Sequence, residues 1–200
     1  MNENMNKNYE MRMKLSDLKI EIVTSLILIL LIVLSRLSNH LWNFTVVGGA
    51  ALFAGAFFKN RALPGFLAQY FAVGTIFLGL ILSDLFLGFH SQIYSVYFSY
   101  ALICGLGMLL SGKNSRPLTW LYSLTGALLF FLITNFAVWY NAFMYPLTWH
   151  GLMQSYQMGL PFFRHQLISD LISTTILFEV AKQLKILNGV ELPGAETKTF

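Results

Sequence analysis

IEIVTSLILILLIVLSRL, residues 20–37, decides the class of this protein. Wound as an α-helix it is about 27 Å long, close to the ~30 Å hydrocarbon thickness of a bilayer. Its charged residues, Glu21 and Arg36, sit at its two ends. Lys14 and Lys19 precede it as in a signal peptide. The chain then reads SRLSNHLWN, with no small-x-small cleavage site, so a retained membrane helix is expected.

Similar apolar stretches follow at about 44–58, 64–86, 93–110, 118–140 and 167–184. The expected fold is therefore all-α, an integral membrane bundle of six transmembrane helices. It spans residues 20–187, with polar tails at 1–19 and 188–200. Composition agrees: of 200 residues, 56% are hydrophobic and only 11% charged, against about 25% charged in soluble domains. A soluble globular enzyme is excluded, because so few polar groups could not cover its surface. Six spans of ~20 residues consume about 120 residues, leaving no room for a separate soluble catalytic domain. The net charge of +4 is too dispersed to suggest nucleic acid. Cys104 is the single cysteine, so neither an internal disulfide nor a cysteine-rich metal site is available.

Charge sets the expected orientation. With the amino terminus inside, one side collects Lys7, Arg12, Lys14, Lys19, Lys59, Arg61, Lys113, Arg116, Lys182, Lys185 and Lys198, and the other only Arg36 and Arg164. Short basic loops stay cytoplasmic, so both termini are expected inside a bacterial inner membrane. The outer connections then hold most of the polar and aromatic groups. These include Trp42, Asn43, Phe44, Asp84, His90, Gln92, Asn135, Trp139, Tyr145, Trp149, Arg164 and Asp170. Such an asymmetry suits a pocket that opens outward, with aromatic walls and a few placed polar groups. The plainer account of any one tryptophan is an interfacial anchor.

Asp84 and Asp170 interrupt apolar runs, GTIFLGLILSD and HQLISDLIST. An acid in a membrane segment costs roughly 2.5–3.5 kcal/mol on insertion scales and faces a partner or a wet cavity. The two either line the pocket, pair with Arg164, or sit favourably at a helix start. His90 is a candidate hydrogen-bond donor or metal ligand, its alternative being a satisfied interfacial histidine. Between the fifth and sixth segments, Thr148–Leu160 is expected to form an amphipathic interfacial helix stopped by Pro161, part of a lid-like loop. Gly48, Ala51 and Gly55 form a small-residue stripe suited to internal packing or to docking a partner. Glu179 and Lys182 have the spacing of a local ion pair. HExxH, GxSxG, GxxxxGK[ST] and CxxC are all missing from the chain, so neither a resident metal nor a cofactor is expected and ATP hydrolysis has no P-loop to support it.

NFTVVGGAALFAGAFF, LSDLFLGFH, ITNFAVWY, MYPLTWHGLMQSYQMGLPFFRHQLISDL and ILFE resemble a widespread family of bacterial integral membrane proteins of unknown function, across Leu41–Glu179. More distantly, the layout is similar to the substrate-binding S components of energy-coupling-factor vitamin transporters. That likeness implies six helices, a vitamin pocket near the outer face, and a borrowed coupling subunit with ATPases. It implies capture of a vitamin-like solute without chemistry. Trp42, Phe44, Trp139, Tyr145 and Trp149 would stack a flat ligand, while Asn43, Asp84, His90 and Asn135 fix its edges. In a cobalamin site His90 would take an axial cobalt position; riboflavin-like, thiamine-like or pyrimidine ligands fit the same groups. One departure stands out: S components carry an alanine-rich docking stripe in the first helix, whereas EIVTSLILILLIVLSR has neither alanine nor glycine. Two other classes compete: a structural or assembly subunit that docks through the stripe, and a membrane enzyme acting on lipid or isoprenoid groups at the outer interface.

Overall fold

In the computed structural model, residues 2–38, 44–59, 65–111, 115–142 and 144–184 are described, with side chains from Leu15 onward. They form six helices: α1 (Asn2–Leu37), α2 (Val47–Phe58), α3 (Gly65–Leu87), α4 (Ile93–Leu110), α5 (Arg116–Tyr140) and α6 (Trp149–Gln183). No strand occurs among the described residues.

The helix ends follow local chemistry. α3 stops at Gly88, whose φ of 88° belongs to the left-handed region that glycine occupies without penalty. Its N–H closes the helix on the Asp84 carbonyl at 2.8 Å. α5 opens with a proline in its first turn, where the missing N–H costs nothing. Thr148 caps α6 by accepting the Gly151 N–H at 3.2 Å.

α2 is the hub. All of its 12 residues are buried, and α1, α3, α4, α5 and α6 all touch it. Against α4 the approach is backbone to backbone. A Cβ on Gly55 would lie 1.9 Å from the Cys104 carbonyl oxygen, and one on Gly107 would lie 2.2 Å from that of Leu52. Contact this close needs glycine on both helices. Around the hub, Phe53 stacks on Phe57 with centroids 5.4 Å apart and meets Phe178 of α6 edge-on at 5.3 Å. α1 lies outside, presenting Glu21, Ser25, Leu28 and Ile32 inward. Ile32 seats on Gly79 of α3, and Ser25 shares a 2.8 Å hydrogen bond with Thr75.

The exterior is apolar: Leu26, Leu30, Leu85, Phe86, Phe98 and Leu109 are all exposed, a surface that water would not tolerate over so wide an area. Among the described residues, four helices are long and apolar enough to cross a membrane: Leu15–Leu37, Phe66–Leu87, Ile93–Leu110 and Arg116–Tyr140. The other two helices fall outside that set. α2, at about 18 Å, falls short of the ~30 Å hydrocarbon layer and lies enclosed by its neighbours. α6 is long enough but carries Asp170, Glu179 and Lys182.

Two boundaries also differ from expectation. α1 begins at Asn2 rather than near Ile20; its polar start is rich in asparagine but contains neither Gly nor Pro to break the helix. α6 runs through Pro161 as one helix of 35 residues, where a stop and a lid-like loop were expected. Proline removes one N–H and crowds the preceding turn, yet both halves are held by buried small and polar residues. Gly151, Ser155 and Gly159 lie before it, and Ser169, Asp170, Ser173 and Thr174 after it. Neighbouring helices make such prolines tolerable in membranes.

The stripe Gly48, Ala51 and Gly55 is consumed by these internal contacts, so it presents no surface for a partner. Gly55→Ala should lower the thermal midpoint in detergent by the equivalent of roughly 1–3 kcal/mol. Gly74→Ala, where a Cβ meets no atom within 4 Å, should leave it unchanged or raised. Equal effects of the two would contradict the close α2–α4 packing.

Candidate functional site

Polar groups gather at one end of the bundle, where α1, α3 and α5 finish and α2, α4 and α6 begin. Arg36, in the last turn of α1, reaches across to the end of α3. Its Nη2 pairs with Asp84 Oδ1 at 2.7 Å, and its Nη1 donates to Ser83 Oγ at 2.7 Å and to the Leu80 carbonyl at 3.2 Å. Tyr97 of α4 donates its hydroxyl to the other Asp84 oxygen at 2.8 Å. Asp84 is buried, so removal of either partner would strand a charge. Its partner is Arg36, not Arg164; Arg164 is exposed on α6.

Asp170 solves its burial differently. It sits in mid-α6 and accepts the backbone N–H groups of Gly48 and Gly49. Gln166 Nε2 lies 3.5 Å from its Oδ2. The carboxylate therefore rests on the amino terminus of α2, where free N–H groups and the helix dipole favour an anion. A Cβ on Gly48 would stand 2.2 Å from Asp170 Oδ1, which explains a glycine there. The same junction is tied by Ser169 Oγ to the Thr45 carbonyl at 2.5 Å, and by the Val46 N–H to Ser35 Oγ at 3.4 Å.

Above this junction lies a cavity of about 620 Å³. Val47 and Thr45 form part of its lining, with Arg36 and Leu80 on one side and His90, Gln92, Val96 and Tyr100 on another. α5 contributes Phe130, Phe131, Thr134, Asn135 and Val138, and α6 contributes Ser155, Met158, Gly159, Phe162, Phe163 and Gln166. Tyr145 and Met144 stand in the α5–α6 connection. The walls are aromatic: Tyr100 and Phe130 have centroids 4.9 Å apart, and Phe131 and Phe163 lie 4.8 Å apart. The first half of α6 is pinned to α5 by Ser155 Oγ donating to the Asn135 carbonyl at 2.8 Å, with Gly159 against the Asn135 side chain.

Of the residues singled out in the sequence, His90, Gln92, Asn135 and Tyr145 line this cavity. Asp84 and Asp170 stand behind it, screened by Arg36 and Gln166. Trp139 donates its indole N–H to the Pro146 carbonyl at 3.0 Å. Trp149 is exposed at the start of α6 and Phe44 is half-exposed before α2; neither they nor Trp139 and Arg164 belong to the lining. Trp42 and Asn43 lie outside the described residues, as does the tail 188–200. Sequence reasoning missed Arg36, Tyr100, Phe130, Phe131, Phe163 and Gln166 as lining groups. The spacing Gly151, Ser155, Gly159 was the available sign that the first half of α6 packs against a neighbour. No group of three or more His, Cys, Asp or Glu residues is placed to hold a metal ion among the described residues. What the arrangement offers a ligand is flat aromatic faces, amide and hydroxyl edges, and one guanidinium whose charge is already balanced.

The chain belongs to a family of unknown function, DUF6580, whose model matches residues 16–189. No curated protein and no solved structure matches it.

Asp84→Ala should destabilise the fold by about 3–5 kcal/mol, as expected when one member of a buried pair is removed. The double change Arg36→Met with Asp84→Leu should recover much of that loss in thermal denaturation. Equal losses in the single and double variants would contradict a pair whose cost lies in the stranded charge.

Proposed function

We propose that this protein is a membrane-embedded solute-binding protein for uptake of a small, vitamin-like molecule, similar in mode of action to the S components of energy-coupling-factor transporters. The observation that carries the proposal is the cavity at the polar end of the bundle. Its volume of about 620 Å³ falls within the ~300–1,000 Å³ of small-molecule sites. Its walls are apolar and aromatic, with a few fixed polar groups, the usual make-up of such sites. The distribution of Lys and Arg supports an orientation with both termini inside a bacterial inner membrane and the cavity end outward. In this reading α2 and α6 complete a six-segment membrane domain, and energy for release comes from a coupling subunit with its own ATPases.

The ligand is a flat, largely neutral ring system. Tyr100, Phe130, Phe131 and Phe163 take its faces. Gln92, Thr134, Asn135 and Gln166 bond to its edges, and the pairing of Arg36 with Asp84 leaves no uncompensated guanidinium to demand an anion. His90 faces the same space, which keeps a corrin among the ligands to be tested. The reading as an assembly subunit loses its motivating feature, since the α2 stripe is buried within the chain.

Protein purified in mild detergent should release one stoichiometric small molecule on denaturation, identified by mass spectrometry and absorption. Val138→Trp, which fills the cavity from α5, should abolish that occupancy and leave the thermal midpoint of the empty protein unchanged. Wild-type protein that neither carries a small molecule nor is stabilised by any vitamin in a thermal-shift panel would overturn the proposal.

A further inference from the structure

A second concave surface lies on the half of the molecule away from that cavity, between the start of α5 and the second half of α6. This groove of about 680 Å³ faces outward. Leu121, Leu124, Leu167, Leu171, Ile172 and Ile176 line it. From Leu167 to Ile176 it runs along α6 for about 13 Å. Trp120 and Thr175 stand at its mouth, joined by a 3.0 Å hydrogen bond from the indole N–H to the hydroxyl. Directly beyond them is an ion cluster. Arg116 grips Glu179 with two hydrogen bonds, at 2.9 and 3.2 Å, and Lys182 reaches the same carboxylate at 3.2 Å. Two cations against one carboxylate leave the mouth with a net positive charge, and the Arg116 side chain is 68% exposed.

We propose that this groove binds an anionic glycerophospholipid of the surrounding membrane. One acyl chain lies along α5 and α6, and the phosphate rests on Arg116 and Lys182. The two parts of the site match the two parts of that molecule. The apolar channel has no polar group to offer a soluble ligand below Trp120 and Thr175, while the cations at its mouth favour a negative headgroup over a zwitterionic one. Tryptophan partitions to the headgroup level of a bilayer, which sets the mouth at the depth where phosphates lie. Basic pockets between membrane helices recognise anionic headgroups in the same manner. The proposal rests on membrane embedding alone and is independent of what occupies the cavity at the other end.

The test is native mass spectrometry of the full chain reconstituted in an equal mixture of phosphatidylglycerol and phosphatidylcholine with identical acyl chains. One phosphatidylglycerol should be retained with at least about fivefold preference, the factor that one surface cation supplies. The double change Arg116→Gln with Lys182→Gln should erase the preference while leaving the helical circular dichroism intact. Leu171→Trp, which fills the groove, should reduce retention of both lipids. Equal retention of the two lipids by the wild type, or an undiminished preference in the double variant, would overturn the proposal.

Discussion

The acceptance of the Gly48 and Gly49 N–H groups by Asp170 holds the architecture together. A short apolar helix enclosed by others has nowhere to send the free N–H groups of its first turn. A buried carboxylate has nowhere to send its charge. Each answers the other: the α2 amino terminus becomes the counter-charge of Asp170, and Asp170 becomes its cap. With that junction fixed, α2 can lie wholly inside the bundle, and its glycine contacts with α4 and its Phe53 contact with Phe178 fall into register.

The same constraint shapes the cavity. Because α2 is short, it fills only part of the bundle's depth, and the space beyond its amino terminus is left to side chains from α4, α5 and α6. Arg36 and Asp84 close one flank as a pair, so the polar end gains hydrogen-bonding capacity without a loose charge. Asn135 and Gln166 add amides at the rim of an aromatic space. The opposite half is built on different principles, with Arg116 and Lys182 gathered on Glu179 beside an apolar groove. The molecule is thus polarised along its axis, with an aromatic cavity edged by amides toward one end and an apolar groove beside an ion cluster toward the other.

Much of this was legible from the order of residues. α4 lies at the expected 93–110, and α3 and α5 begin or end within two residues of their expected bounds, because hydropathy and Gly or Pro punctuation agree there. The Glu179–Lys182 pair is present as its spacing suggested. α6 was not legible. Pro161 reads as a stop, and only the packing of Gly151, Ser155 and Gly159 on α5 shows why the helix continues. Asp170 reads as a residue at the amino terminus of its own sixth segment, but α6 begins at Trp149 and places it mid-helix. The helix it serves is α2, far away in sequence, and no local pattern reveals that pairing. Likewise Tyr100, Phe130 and Phe131 read as ordinary membrane-segment aromatics. Whether such a ring faces lipid, core or cavity depends on the rotation of its helix, which composition does not encode.

The central claim, a solute site open to the outside, is tested most directly by labelling intact cells. Cys104 is the chain's single cysteine and is buried, so the wild type supplies a silent background. Gln92→Cys, on the cavity wall, should react with a membrane-impermeant maleimide in whole cells, and a saturating ligand should protect it. Reaction only after the membrane is permeabilised would put the cavity on the cytoplasmic side and contradict the account.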